Sequence, residues 1–153
     1  MKNLWPVVLL LALGACSSST TAGLPDIQLS SLSQEKAPSL ASCPTAKCLT
    51  VYLAPWCGYC RAVTPQLVKL KPFLKDGGIS MRVIVGMDKL ESVREYAEVF
   101  GPDTLLDPHK RMSVNGVPHF YVSNAAGAII KEVAGAPTGV SDIGEFASVF
   151  GLP

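Results

Sequence analysis

Cys57 and Cys60 stand with two residues between them in the stretch Ala54-Pro55-Trp56-Cys57-Gly58-Tyr59-Cys60, a spacing that lets one sulfur reach the other. The hydrophobic run Leu49-Thr50-Val51-Tyr52-Leu53 leads into it and reads as a buried strand. A helical pattern leaves it, over about 57–75. Cys57 is thus expected at a helix N-terminus, where unpaired backbone N–H groups and the positive end of the helix dipole favour a negative sulfur. The thiolate is the species that attacks a disulfide. Cys60 lies one turn further on the same face, placed to close a disulfide or resolve a mixed one. The pair alone leaves a structural disulfide or half of a zinc site open. Trp56 before it, with a strand in front and a helix behind, favours redox chemistry.

A second pair, Cys43 and Cys48, immediately precedes the strand, with four residues between the cysteines. The expectation is a structural disulfide that pins the preceding segment to the sheet. A second redox pair exchanging with Cys57–Cys60 is the sharper alternative. A four-thiolate metal site is the remaining one, although the spacing is not that of a standard zinc ribbon.

The fifth cysteine, Cys16, belongs to a different signal. Met1-Lys2-Asn3, an apolar run over 4–13 and then Gly14-Ala15-Cys16 have the layout of a secretory signal peptide over 1–15. The run is too short to span a bilayer as a stable helix. Leu13-Gly14-Ala15-Cys16 resembles a bacterial lipobox, which implies cleavage before Cys16 and lipid attachment to it. Ser17 rather than Asp after the cysteine implies the outer membrane of a Gram-negative cell, with the domain facing the periplasm. The remaining residues 16–153 suit one domain with one core. Of the 13 Lys and Arg only Lys2 lies in the signal, so the rest balance the 12 Asp and Glu. That leaves no basic excess to hold nucleic acid. Cys43, Cys48, Cys57 and Cys60 would then lie in an oxidising compartment.

Residues 16–42 read as a flexible tether, because 17–23 are small and polar. Scattered apolar residues over 24–40, broken by Pro25 and Pro38, leave open that this part lies against the domain or adds a short edge strand. The domain proper is expected over 43–153. Val63, Leu67, Leu70 and Phe73 or Leu74 form the core stripe of the helix after Cys60, with Pro65 inside it as a kink and Asp76-Gly77-Gly78 as its stop. A buried strand follows over 79–86. Asp88 is expected to cap a second helix, with Leu90, Val93, Ala97 and Phe100 on its core face. Residues 104–108 read as extended and 109–114 as one short helix. An antiparallel hairpin turns at 124–127. A last helix over about 141–150 carries Ile143, Phe146, Ala147 and Phe150, with Gly151 as its cap. The order βαβα then ββα predicts an α/β fold, a mixed central sheet flanked by helices on both faces.

That order with a Trp-Cys-x-x-Cys turn resembles the thioredoxin superfamily over about 49–150. Pro65 lies eight residues after Cys57, as does the kinking proline of the family's active-site helix. Gly116-Val117-Pro118 looks like the family's cis-proline loop, and Gly127 and Gly135 fall where thioredoxins keep glycines. The resemblance implies a thioredoxin-like fold with Cys57 as nucleophile and Cys60 as resolving thiol. It implies a cis Pro118 beside the sulfurs, a client groove around Trp56, Tyr59, Val117 and Pro118, and no metal or cofactor. It implies protein thiols and disulfides as substrates, a separate redox partner in the envelope and a monomer, with the direction of electron flow open.

The departures from the pattern are specific. Val51 occupies the position where thioredoxins keep a buried acid, so deprotonation of Cys60 would fall to water, a tyrosine hydroxyl or nothing specific. Gly58-Tyr59 replaces Gly-Pro and is the pair of periplasmic disulfide isomerases. Asp107-Pro108 and the lipid anchor look more like periplasmic membrane-anchored thioredoxin-like reductases. His119 is expected as a strand-end side chain rather than an active-site one, and His109 as a surface residue. The competing class is a copper or zinc metallochaperone on the same fold, which in such relatives uses two cysteines and a histidine at a wider cysteine spacing. A scaffold module with a purely structural Cys57–Cys60 pair is the third.

Overall fold

The computed structural model describes residues 22–153, so the signal segment, Cys16 and the first part of the tether lie outside the described residues. The elements are β1 (Ser30–Ser31), β2 (Lys47–Leu53), α1 (Gly58–Asp76), β3 (Ser80–Gly86), α2 (Leu90–Ala97), β4 (Leu105–Asp107), β5 (His119–Asn124), β6 (Ile129–Ala134) and α3 (Ile143–Val149), with a single 3₁₀ turn, Glu98–Phe100, after α2. The sheet has the order β1-β4-β3-β2-β5-β6. β2, β3 and β4 run parallel, while β5 and β6 form an antiparallel hairpin against β2. This is a thioredoxin-like α/β fold with a mixed sheet.

Alternation along β2 divides the core into two. Leu49, Val51 and Leu53 face one cluster, which holds Val63, Leu67, Leu70 and Leu74 of α1, Val93 and Ala97 of α2, and Phe146 and Ala147 of α3. Cys57 and Cys60 belong to this cluster. Tyr52 faces the other, with Ile84, Leu105 and Tyr121. Among the described residues this second face is covered by coil, not helix: Leu24, Leu29, Ala37 and Leu40 from one side, Met112 and Val114 from the other.

Of the two possibilities left open for 24–40, lying against the domain and adding a short edge strand, the structure shows both. The 24–40 segment runs mostly as coil, and its apolar residues Leu24, Leu29, Ala37 and Leu40 pack onto the sheet. It also adds the edge strand β1, antiparallel to β4. Arg82 of β3 ties it down: its guanidinium donates to the carbonyls of Ser39 (3.2 Å), Leu40 (3.0 Å) and Ser42 (2.9 Å), and Nε to the Thr50 hydroxyl (3.2 Å). Burial pushes the Arg82 pKa down to about 10, which leaves it a cation at neutral pH.

Three local expectations fail for physical reasons. Asp88 does not cap α2 through its side chain; Lys89 is the N-cap residue, and Asp88 Oδ1 accepts only from the adjacent Lys89 N–H (2.7 Å). Leu90 is half-exposed, and Tyr96 takes its place on the buried face. The short helix over 109–114 is absent. The buried Asp107 carboxylate instead accepts from the backbone N–H groups of Arg111 (2.7 Å) and Met112 (3.0 Å), a side-chain bond that outcompetes helical pairing. The same carboxylate accepts from the Tyr52 hydroxyl at 2.9 Å. Gly86 makes room for this pair, since a Cβ there would collide with the Tyr52 hydroxyl and the Asp107 carbonyl.

Candidate functional site

β2 ends at Leu53 and α1 begins at Gly58, so residues 54–57 turn the chain from sheet to helix. Cys57 is the N-cap residue, with extended backbone (φ −83°, ψ 113°), and its sulfur accepts the backbone N–H of Cys60 at 3.2 Å. A helix start leaves such donors unpaired, and here a sulfur takes the place that a Ser or Asp oxygen usually fills. The Cys57 N–H donates to the Ala54 carbonyl (3.1 Å). Arg61 Nε donates to the Pro55 carbonyl (2.7 Å), and Trp56 Nε1 to the Met87 carbonyl after β3 (2.8 Å). The turn is thus held from three sides while Trp56 (61% exposed) and Tyr59 (72% exposed) stand out into solvent.

The two sulfurs differ. Both are free thiols, Cys57 being 5% exposed and Cys60 0%. Burial, then the hydrogen bond to Cys57 and its charge, push the Cys60 thiol up to about 12, against the lowering effect of nearby backbone donors. Cys60 therefore keeps its proton at neutral pH. From the strand next to β2, the loop before β5 brings the Val117 carbonyl to 3.5 Å from Cys57 Sγ, and the Val117–Pro118 peptide is cis. Cys57, Cys60, Trp56, Val117 and Pro118 are thus brought together, with Tyr59 at the exposed rim.

Cys43 and Cys48 are joined in a disulfide (Cα–Cα 5.8 Å) at the opposite end of β2. At about 3.3 Å per strand residue, more than 15 Å separates that bond from Cys57. At that separation the two pairs are not in contact, and the four cysteines do not come together at one point. Beside the disulfide the Thr45 hydroxyl donates to the Lys47 carbonyl (2.6 Å) and accepts from the Ser80 N–H (3.1 Å), so the loop is stitched to β3.

His119 is buried on the Tyr121 face of β5, stacked on that ring at 4.5 Å, with Nε2 2.6 Å from Glu132 Oε1. The cysteines lie with Phe120 on the opposite face. His109 is exposed. Among the described residues no three His, Cys, Asp or Glu side chains converge as a metal site.

Sequence reasoning missed Thr64 and Tyr96. The Thr64 hydroxyl donates to the Cys60 carbonyl (2.8 Å) and lies 2.7 Å from the Tyr96 hydroxyl. The spacing of Thr64 four residues after Cys60 was a usable signal; Tyr96 is joined to it only by tertiary packing.

A family model described as Thioredoxin matches residues 29–145. Among curated proteins, protein disulfide isomerase-like 5-2 of Oryza sativa subsp. japonica is 30% identical over 73 residues, 48% of this chain but only 16% of that protein's length. Among solved structures, the thioredoxin domain of a thiol-disulfide oxidoreductase from Bacteroides vulgatus superposes with a TM-score of 0.66 at 20% identity, covering 88% of this chain and 99% of that one. A secreted disulfide oxidoreductase of Mycobacterium tuberculosis superposes at 0.63 with 16% identity, covering 82% and 95%. StoA of Bacillus subtilis does so at 0.59 with 16% identity, covering 74% and 93%. At such identities these likenesses speak for the fold.

Proposed function

The chain belongs to the thioredoxin family, and from that premise we propose that it is a thiol–disulfide oxidoreductase of the cell envelope acting on protein clients through Cys57 and Cys60. In the reducing direction, the Cys57 thiolate attacks one sulfur of a client disulfide. The client S–S bond breaks, and the departing client sulfur leaves with the electron pair and takes up a proton. Cys60 then attacks Cys57 Sγ in the mixed disulfide. The Cys57–client bond breaks, the second client thiol is released, and Cys57 and Cys60 are left oxidised by two electrons. Run backwards, the same steps oxidise a client dithiol. Trp56, Tyr59, Val117 and Pro118 line the surface on which the client lies. The redox partner that resets the pair is a second protein of the same compartment.

The observation that carries this reading is the position of Cys57 Sγ. It sits at the start of α1, accepting the Cys60 N–H and facing the Val117 carbonyl, at the one edge of a buried pair that a client can reach. Insulin reduction by the wild type, lost in Cys57→Ser, tests it; equal activity in the two proteins would refute it.

Location is part of the proposal. Residues 1–15 act as a lipoprotein signal, Cys16 carries the lipid, and 17–23 tether a domain that begins at about Leu24 and works as a monomer. The neighbour from Mycobacterium tuberculosis is itself described as secreted. Labelling with a fatty acid, present in the wild type and lost in Cys16→Ala, tests the anchor.

A further inference from the structure

We infer that Tyr96 and Thr64 are positioning residues for the second step of exchange: through a two-bond chain they hold the Cys60 turn of α1 against α2, so that Cys60 closes onto Cys57. This rests on the roles given to Cys57 and Cys60 above and deepens them.

The direction of the chain follows from proton counting. Thr64 has one hydroxyl proton, and it is spent on the Cys60 carbonyl at 2.8 Å. The 2.7 Å contact with Tyr96 must then be donated by the phenol. The order is Tyr96 O–H to Thr64 Oγ1, and Thr64 O–H to Cys60 C=O. Tyr96 itself has little freedom. Its ring is buried, meets Phe100 edge-on at 5.5 Å, and lies under the Arg61 guanidinium at 5.2 Å. Arg61 in turn reaches back to the Pro55 carbonyl. So α2 grips both the carbonyl of Cys60 and the side chain of the residue after it.

The first turn of α1 needs this grip. Pro65 has no N–H, so the Arg61 carbonyl loses its helical partner just where the two cysteines must move against each other. Cys60 is fully buried and cannot use solvent to find its orientation. Closing the disulfide demands an S–S distance near 2.05 Å and a restricted torsion, which a loosened turn would sample less often. Burial raises the Tyr96 pKa, opposed by the hydrogen bond with Thr64, and the charges of Cys60 and Cys57 add to the rise.

The test is stopped-flow reaction of the reduced protein with 5,5′-dithiobis(2-nitrobenzoate). Attack by Cys57 releases one thionitrobenzoate in a bimolecular phase. Closure by Cys60 releases the second in a unimolecular phase, with loss of the Cys60 proton. Tyr96→Phe keeps the ring and its packing, and Thr64→Val keeps the shape. Each is expected to slow the second phase about fivefold, the loss of one ordinary hydrogen bond, and to leave the first phase unchanged. The double variant is expected to be no slower than either single one, and Thr64→Ser to restore the wild-type rate. Unchanged closure in both Tyr96→Phe and Thr64→Val, or an equal slowing of both phases, overturns the inference while the roles of Cys57 and Cys60 stand. A wild type with no second phase overturns those roles themselves.

Discussion

The high pKa of Cys60 has a measurable consequence for the closure step. A thiol with a pKa of about 12 is present as thiolate at pH 7 in on the order of one molecule in 10⁵. Only the thiolate attacks, so closure should accelerate tenfold per pH unit as long as the solution stays below that pKa. In the mixed disulfide Cys57 no longer carries charge or accepts the Cys60 proton, which removes two of the raising causes. Burial, the largest cause, remains, so the pKa stays above the ordinary thiol value of about 9. The perturbation is therefore pH itself, with no substitution. Stopped-flow closure rates between pH 6.5 and 9 should give a slope near +1 in log rate against pH, with no plateau. Replacing Tyr59 or another rim residue should leave that slope alone. A profile that bends toward a plateau as pH approaches 9 would mean that Cys60 ionises like an exposed cysteine, and burial would not be what holds its proton.

Further outcomes follow from named residues. Tyr52→Phe removes the hydroxyl that Asp107 accepts from, and should cost about 2 kcal/mol in urea unfolding, as for a hydrogen bond to a charged group; Gly86→Ala should cost at least as much, because the added methyl meets the same pair. Arg82→Met removes the donors that hold the Ser39, Leu40 and Ser42 carbonyls, so limited proteolysis should nick residues 24–42 many-fold faster while 47–134 stay protected. Linkage gives a stability signature of the reduced pair: Cys60 has a folded pKa raised from 9.0 to about 12, so its contribution is complete below pH 9 and is lost as pH climbs toward 12. Melts from pH 8 to 10.5 should therefore show the reduced form falling relative to the oxidised form, in which Cys60 does not titrate.

Legibility followed the range of the interactions. The strand–turn–helix around Cys57 is local: the buried run before it, the stripe Val63, Leu67, Leu70 and Leu74 after it, and Gly77-Gly78 at its end all lie within one stretch. Phe73 and Leu74 could not be separated by period alone, and packing chose Leu74. The docking of 24–42 was not legible as a defined structure, because its holdfast, Arg82, lies some forty residues away and reads on its own as a surface cation. The short helix expected over 109–114 failed through a side chain just before it, since the Asp107 carboxylate reaches inward to Tyr52 and takes the Arg111 and Met112 N–H groups. On α2 the expected face held at Val93, Ala97 and Phe100; only Leu90, at the first position of the helix, stays out, and Tyr96 goes inward with its hydroxyl on Thr64 and its ring against Phe100. At the site, Val117 and Pro118 came only from resemblance, since nothing local to them indicates a cysteine sixty residues earlier; the structure sets the Val117 carbonyl 3.5 Å from Cys57 Sγ.

The Cys43–Cys48 loop offers a control within the same molecule. It closes a ring of only a few residues, so by chain entropy it is worth about 2 kcal/mol. Cys48 is fully buried and the pair is remote from the client surface, which shields it from exchange. Equilibrium titration of the protein against glutathione, with alkylation and mass mapping of every cysteine, therefore bears most directly on the claim that Cys57 is the sulfur that exchanges. The account predicts one two-electron transition at Cys57 and Cys60, a glutathione adduct on Cys57 in the Cys60→Ser variant, and Cys43–Cys48 still oxidised when the first pair is fully reduced. Reduction of both pairs together, or a Cys57 that takes no glutathione, would contradict it.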